Sequence, residues 1–418
     1  MLINDYTLLK EKTLNIANRL SQNTNRELEE KVIQILQSIK QGGLAALKNL
    51  TEQFDKKKIS EFFVSTNGCF DKLSTDQKLA IDLSIQRVKA FNEVCKPEDI
   101  HYKRDDESIY VKWKPLNSVG VYIPGGSAPL LSTVIMTVTL AQVAGVKRIV
   151  VVSPPDVHLF ILAVCDRLGV DTVLQSGGAQ AIGALAYGIE ELNLLPVDKI
   201  VGPGNQFVTL AKKIVYGTVG IDALYGPSEL VIIADEKADA KKISLDLMSQ
   251  LEHGSGYEAT CLFTNSQTLA EDVLKNFKHI LVNHPNREKI ERAWGNYGII
   301  GVTDNLDQCC ELTNLFAPEH LEIKTQNSEE LAEKIINAGA IFLNKSNEAL
   351  GDYLAGPSHC LPTGRSARFS SGLSVMDFMK KTTVVDIAPN KEMIEATALL
   401  ARMEGLEAHA LAALGALE

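Results

Sequence analysis

An imidazole next to a carboxylate can take protons at two stages of one reaction, and the stretch Ala317-Pro318-Glu319-His320-Leu321 offers such a pair. Imidazole removes a proton from an alcohol near neutral pH, and a carboxylate beside it can activate water. Adjacent Glu and His also occur in ordinary surface loops, so the pair alone does not decide. In Leu247-Met248-Ser249-Gln250-Leu251-Glu252-His253-Gly254, the i, i+3 spacing puts Gln250 and His253 on one face of a helix, within reach of one metal ion. The same spacing suits a helix C-terminus where His253 meets the dipole and Gly254 supplies the cap. Asp352, in a small-residue loop running from Gly351 to His359, can complete a metal set or close a turn. Glu404-Gly405-Leu406-Glu407-Ala408-His409 adds an acid and a histidine that would, alone, be a solvated helix end. Cys360 follows His359, but adjacency in sequence does not put a base on a thiol.

The elements that must position these residues are legible in the hydrophobic periodicity. Val32, Ile35, Leu36 and Ile39 recur at helix spacing in a segment reaching about Asp55. Ser74 and Gln77 have capping-box spacing and open a helix that Pro97 stops. From Val119 short β-branched runs alternate with helices: 119–123, 148–152, 172–174 and 199–201. Each run ends in a small-residue turn, at Pro124-Gly125-Gly126-Ser127-Ala128-Pro129, Ser153-Pro154-Pro155, Gly177-Gly178-Ala179-Gln180 and Gly202-Pro203-Gly204-Asn205. Ligands of open parallel sheets sit at the carboxyl ends of strands, so four such turns suggest a nucleotide or anion site. No G-x-G-x-x-G fingerprint with a later acidic residue accompanies them. The pattern repeats with strands at 230–234, 260–264, 299–302, 321–323 and 340–343, and from about Met379 the chain is expected to be helical.

Composition removes several classes of function. The 418 residues are 45% hydrophobic and 22% charged, more than one core organises, and the formal net charge of -10 disfavours nucleic acid as a partner. The apolar stretch from Pro129 to Val146 is interrupted by Ser132, Thr133, Thr137, Thr139 and Gln142 and reads as a buried helix, not a membrane span. Residues 1–10 lack the pattern of a signal peptide, so a cytoplasmic location is expected. Seven cysteines without a C-x-x-C pair are expected to be reduced and mostly buried.

Taken in order, Val121-Tyr122-Ile123-Pro124-Gly125-Gly126, the 177–181 and 202–205 turns, Gly226-Pro227-Ser228-Glu229, 250–254, 317–321, 351–353 and Glu404-Gly405-Leu406 with His409 resemble the histidinol dehydrogenase family over roughly residues 27–409. The resemblance implies a zinc-dependent, NAD-linked alcohol and aldehyde dehydrogenase that oxidises L-histidinol through L-histidinaldehyde to L-histidine. It implies one zinc per subunit on Gln250, His253, Asp352 and His409, with His409 from the partner of a homodimer. Ser228, His320 and Glu404 add substrate contacts, His359 is a further one, and the cofactor touches Tyr122, Gln180 and Asn205. Glu319 and His320 are the implied catalytic pair. The chain departs from the family pattern at Leu251, Ser255 and Gly256, none of which is an implied ligand.

The expected fold is α/β, with two Rossmann-like parallel-sheet domains and helical N- and C-terminal arms. The boundaries are a helical arm over 1–24, one α/β domain over 25–118 and 231–376 carrying most metal and catalytic residues, an NAD-binding domain over 119–230, and an arm over 377–418 exchanged between subunits. Two rivals remain open at this stage. One is a dehydrogenase of the same fold for another chelating alcohol; the other is a zinc hydrolase in which Glu319 activates water and no nucleotide binds.

Overall fold

The computed structural model describes residues 2–20, 26–104, 107–125 and 129–415. Residues 21–24 of the expected N-terminal arm and Gly126, Ser127 and Ala128 of the first glycine turn lie outside the described residues. The chain divides into two compact units, one formed by Met1–Lys96 with Leu116–Phe378, the other by Pro97–Pro115 with Met379–Glu418.

The larger unit holds two sheets of six strands each. The first runs Phe63–Ser65, Thr172–Gln175, Arg148–Ser153, Ser118–Tyr122, Lys199–Val201, Gly220–Ile221 from edge to edge, all parallel except the antiparallel Phe63–Ser65. Counting its five parallel strands along the chain, the spatial order is third, second, first, fourth, fifth, the Rossmann order whose switch point lies between first and fourth. The second sheet runs Leu2–Ile3, Gly298–Val302, Ala259–Thr264, Glu229–Ala234, His320–Lys324, Ala340–Leu343, parallel throughout and with the same order after its edge strand. Central strands such as Ser118–Tyr122 and Glu229–Ala234 are buried along their whole length, which is why they read as β-branched runs without alternation. The helix Leu131–Ala144 is buried almost all round, as an uncharged helix of its composition must be. Among the described residues no helix is long and apolar enough to cross a membrane.

The packing divides the larger unit differently from the sequence-based boundaries. The helix Arg26–Asp55 buries Val32, Ile35, Leu36, Ile39 and Leu47 against Val152, Leu174, Ile182 and Leu185, so it belongs to the core around the 118–221 sheet and not to the 231–376 segment. Gly43, with φ 49, breaks this helix midway, a turn that a Cβ would oppose. At the other end, Leu2–Ile3 is the edge strand of the second sheet, and Leu9 and Ala17 from the helix Tyr6–Ala17 join its core. Residues 2–17 are thus part of that sheet and its core.

The smaller unit has a three-stranded antiparallel sheet, Met379–Ile387, Glu107–Pro115 and Ile100–Arg104 in that order, followed by the helices Lys391–Met403 and Glu407–Leu414. The helical reading from Met379 is corrected here: residues 379–387 form a nine-residue strand, and the helix starts only after the Asn390 cap. Its Lys-Lys-Thr-Thr-Val-Val run is β-prone, and the pairing of all nine residues with 107–115 fixes it as a strand. Where the two helices meet, Ala398, Ala401 and Ala410 are buried with Leu414 packed beside them, and Ile394 is buried too, while Leu399, Leu400, Met403 and Leu411 are exposed.

Candidate active site

The Glu319–His320 pair is set by a helix stop. The helix Leu306–Phe316 ends at Ala317 in the left-handed region, φ 56, and Pro318 cannot continue it. The chain leaves through Glu319 into the strand His320–Lys324, with Gly339 N–H donating to Pro318 O at 2.9 Å and Ala340 N–H to Glu319 O at 3.0 Å. Glu229–Ala234 runs alongside in register, Leu230 opposite His320. Glu229 N–H donates to Glu319 Oε2 at 3.0 Å, and the Glu229 carbonyl lies 3.2 Å from His320 Nδ1. A carbonyl only accepts, so Nδ1 carries a proton and Nε2 is the nitrogen left to take or release one. Nε2 has no hydrogen-bond partner, and its nearest acid is Asp352 Oδ1 at 3.5 Å.

Burial dominates the electrostatics. It pushes the Glu319 carboxyl up to about 8, against the opposing charge of His320 and the Glu229 amide. It lowers His320, but Glu319 and Asp352 more than compensate and raise the imidazole to about 9. Asp352 would also be raised by burial, yet His320 against it, with His359 and His253 further out, holds it below its ordinary value. The wall therefore carries an ionised Asp352 beside two groups poised to exchange protons.

Asp352 lies on the short helix Glu348–Tyr353 and not in the expected loop. Gln250 is the penultimate residue of the helix Ala240–Leu251, and His253 sits one residue past its Glu252 cap, so the two share a helix end, not a helix face. Ser228 Oγ meets His253 Nδ1 at 2.8 Å, and the turn after His253 is closed by Glu258, whose carboxylate accepts from Ser255 N–H at 2.6 Å and Gly256 N–H at 2.8 Å. Gln250 is buried, its Nε2 donating to Glu348 Oε1 at 3.1 Å. Glu348, four residues before Asp352 on one helix, is missed by the sequence reading; the i, i+4 spacing after the Asn347 cap is the signal that points to it. A cavity of about 960 Å³ is lined by Ser228, His253, Glu319, His320, Asp352 and His359. Cys360 lines it too, but burial pushes its thiol far up, leaving no thiolate nucleophile, and all seven cysteines are free.

The cavity also reaches Asn205 and Pro203, at the carboxyl end of the first sheet's fourth strand. Asn205 caps the helix Gln206–Val215 through Phe207 and Val208 N–H. Gly202, φ +108, lies so close to Tyr122 O that a Cβ would sit 2.2 Å away. A buried Lys212–Asp222 pair holds this turn, Asp222 Oδ2 accepting from Gly202 N–H at 2.7 Å. Tyr122 and Gln180 are buried beside the neighbouring turns, where Tyr122 Oη accepts from Gly178 N–H at 3.2 Å and Gln180 Nε2 donates to Asp55 at 3.1 Å. The second sheet's own switch point opens on a smaller cavity of about 620 Å³. There Asp239 already caps Lys241 and Lys242 N–H, and Asp235 takes Lys237 and Gln326 N–H, so its amide donors are filled by carboxylates.

Glu404 and His409 lie in the smaller unit, Glu404 as the C-cap of one helix and His409 in the first turns of the next, both exposed. Among the described residues no three His, Cys, Asp or Glu side chains of one chain converge as a ready-made metal cage.

The family model for histidinol dehydrogenase matches residues 18–414. The chain belongs to the histidinol dehydrogenase family. It is 41% identical over 416 residues to the histidinol dehydrogenase of Prochlorococcus marinus subsp. pastoris, covering 96% of each chain. It is 42% identical over 389 residues to that of Bacillus licheniformis, covering 90% of this chain and 91% of the relative. The crystal structure of histidinol dehydrogenase from Elizabethkingia anophelis superposes with a TM-score of 0.92 at 33% identity, over 100% of this chain and 97% of that one. An acetylating aldehyde dehydrogenase from Geobacillus thermoglucosidasius, at 14% identity and a TM-score of 0.51, shares the fold. Membership of the histidinol dehydrogenase family makes the chain an oxidoreductase acting on an alcohol and its aldehyde.

Proposed function

We propose that the chain is a zinc-dependent, NAD-linked enzyme that oxidises L-histidinol through L-histidinaldehyde to L-histidine in histidine biosynthesis, in a homodimer whose sites are completed by the partner's C-terminal helices. The observation that carries this reading is one cavity wall holding a buried Glu–His pair whose Nε2 faces Asp352, with Ser228 and His253 beside them.

The donor set fits a metal. Gln250 Oε1 is buried without a hydrogen-bond partner while its Nε2 is anchored, so the carboxamide is oriented with its acceptor spare. Gln250, His253, Asp352 and His409 of a partner would hold the ion, an all N/O set that leaves room for substrate. When bound, zinc supplies a cationic template for the substrate's nitrogens and NAD supplies the acceptor for each hydride. Asn205, Tyr122 and Gln180 at the switch point of the first sheet are the cofactor contacts, and the amide donors filled by carboxylates at the second switch point leave that end the poorer choice.

His320 Nε2 takes the hydroxyl proton in the alcohol step. Glu319 takes a proton from the water that adds to the aldehyde, and His320 takes the hydrate's proton in the second oxidation. Ser228 and, from a partner subunit, Glu404 would bind the amino alcohol. Burial of the pair keeps bulk water from the aldehyde between the two steps.

The test is optical. Protein with zinc and L-histidinol should form about two NADH per histidine, and a chelator should stop it. No NADH from histidinol, with turnover of another chelating alcohol, would move the substrate assignment; hydrolysis without nucleotide would replace the reading with a zinc hydrolase.

A further inference from the structure

Both members of the catalytic pair are held by the backbone of one residue. Glu229 N–H grips the Glu319 carboxylate and Glu229 C=O fixes the proton of His320 on Nδ1. What holds that backbone is a buried ion pair: Arg19 Nη1 meets Glu229 Oε1 at 2.8 Å, with the two side chains 2% and 0% exposed. Gly364 N–H donates to the same oxygen at 3.2 Å. The Arg19 guanidinium also reaches Tyr257 O at 2.7 Å, Ile16 O at 3.2 Å and Pro227 O at 3.5 Å, so one side chain joins the end of the first helix, the segment carrying Ser228 and the turn beyond His253. An arginine fork is the only side chain with enough fixed donors for these acceptors at once. Two charges so deeply buried cost desolvation that packing alone would not require, because apolar residues of similar volume hold such a core equally well.

We propose that Arg19 and Glu229 are positioning residues of the reaction: their ion pair holds the Glu229 backbone where its amide keeps Glu319 aimed and its carbonyl keeps a proton on His320 Nδ1, so that Nε2 is the nitrogen that exchanges protons. This rests on the roles assigned above to Glu319 and His320. Glu229→Gln leaves the Arg19 bonds to Tyr257 O and Pro227 O available, so there turnover suffers more than substrate binding, whereas replacing Arg19 also loosens the segments carrying Ser228 and His253. Loosening the pair also removes a donor that stabilises the ionised Glu319, so the carboxyl moves further up.

The test uses zinc-loaded full-length Arg19→Lys and Glu229→Gln, with the double variant Arg19→Met/Glu229→Gln, which removes both charges and avoids stranding either. Rates are normalised to the folded fraction by circular dichroism, and alcohol and aldehyde oxidation are followed separately against pH. The expected result is a loss of about 10–100-fold in kcat in the double variant, with KM changed little in Glu229→Gln, as for partners that orient acting groups. In Arg19→Lys, which keeps both charges, the acid limb of aldehyde oxidation should move up by about 0.5–1 pH unit, since the amide bond to the carboxylate is weakened; in Glu229→Gln the loss of a neighbouring negative charge works against that shift. Arg19→Lys, which keeps the charge and loses the fork, should fall between wild type and the double variant and decides the matter if the double variant does not fold. Folded Arg19→Lys and Glu229→Gln proteins with wild-type kcat and an unmoved acid limb would overturn the proposal. If Glu319→Gln and His320→Asn themselves retain both half-reactions, the assigned roles fail, and the two failures are thereby told apart.

Discussion

Replacing Glu319 by glutamine keeps the shape of the side chain and removes its capacity to take a proton. Glu319→Gln should therefore slow oxidation of the aldehyde, which needs an activated water, more than oxidation of the alcohol. Separate assays with histidinol and histidinaldehyde check this, and equal losses would end the division of labour. His320→Asn should depress both halves by about 10²–10⁴-fold, the usual contribution of a general base. The pH dependence follows from the same wall. With Glu319 raised to about 8 and His320 to about 9, aldehyde oxidation should climb with pH through both values and then level off, because only the ionised carboxylate and the neutral imidazole can act. The stability sign is opposite. A carboxyl raised from 4.5 to about 8 in the folded chain supports the fold fully below pH 4.5, and that support drains away as pH rises through 8. Wild type should thus lose more urea resistance between pH 5 and 9 than Glu319→Gln does.

At the scale of elements, the site depends on where helices stop. Ala317 and Pro318 end one helix at the catalytic pair, Gly254 with φ +87 follows His253, and Asn347 starts the helix that presents Asp352. Asp352→Ala should lower zinc content while leaving the fold intact, since the Asn347 cap and the rest of that helix are untouched. Metal analysis beside circular dichroism checks it, and full zinc occupancy would remove Asp352 from the ligand set. Zinc should also be released as pH falls, because its imidazole ligands must be neutral. These elements were largely legible: the nine expected parallel strands lie within about a residue of their observed ends because buried parallel strands are continuous apolar runs. The strand Met379–Ile387 was not, since it is exposed along most of its length and shows no buried face to read. Arg19 left no local signal either, as its partner is 210 residues away and periodicity sees only neighbours.

For the whole molecule, the question is what completes the site. Two helices that bury three alanines against each other and leave Leu399, Leu400 and Met403 in water have gained little from their own packing. A partner surface would supply the rest, and the proposed exchange of the C-terminal segment carrying His409 can be tested by complementation. His320→Asn spoils the body of a subunit and spares its helices; His409→Ala does the reverse. Each homodimer should be inactive. Random reassortment makes about half the dimers mixed with one sound site in each, so roughly a quarter of wild-type activity should return. Mixtures shown to contain heterodimers yet staying inactive would mean that His409 acts within its own chain or not at all.

The edge strand Leu2–Ile3 pairs with Ile300 and Gly301, and this ties the second sheet to the timing of synthesis. At about 5–20 residues per second, the ribosome needs roughly 15–60 s to make the stretch between these partners. Throughout that interval Arg19 lacks Glu229 for most of the time, and the apolar face of the first helix has no sheet to cover it. The sheet around residues 118–221 can close on its own helices well before then. A nascent chain arrested near residue 225 should accordingly be protease-resistant in its middle and cleavable in its first twenty residues, which makes the opening segment the natural place for a chaperone to hold.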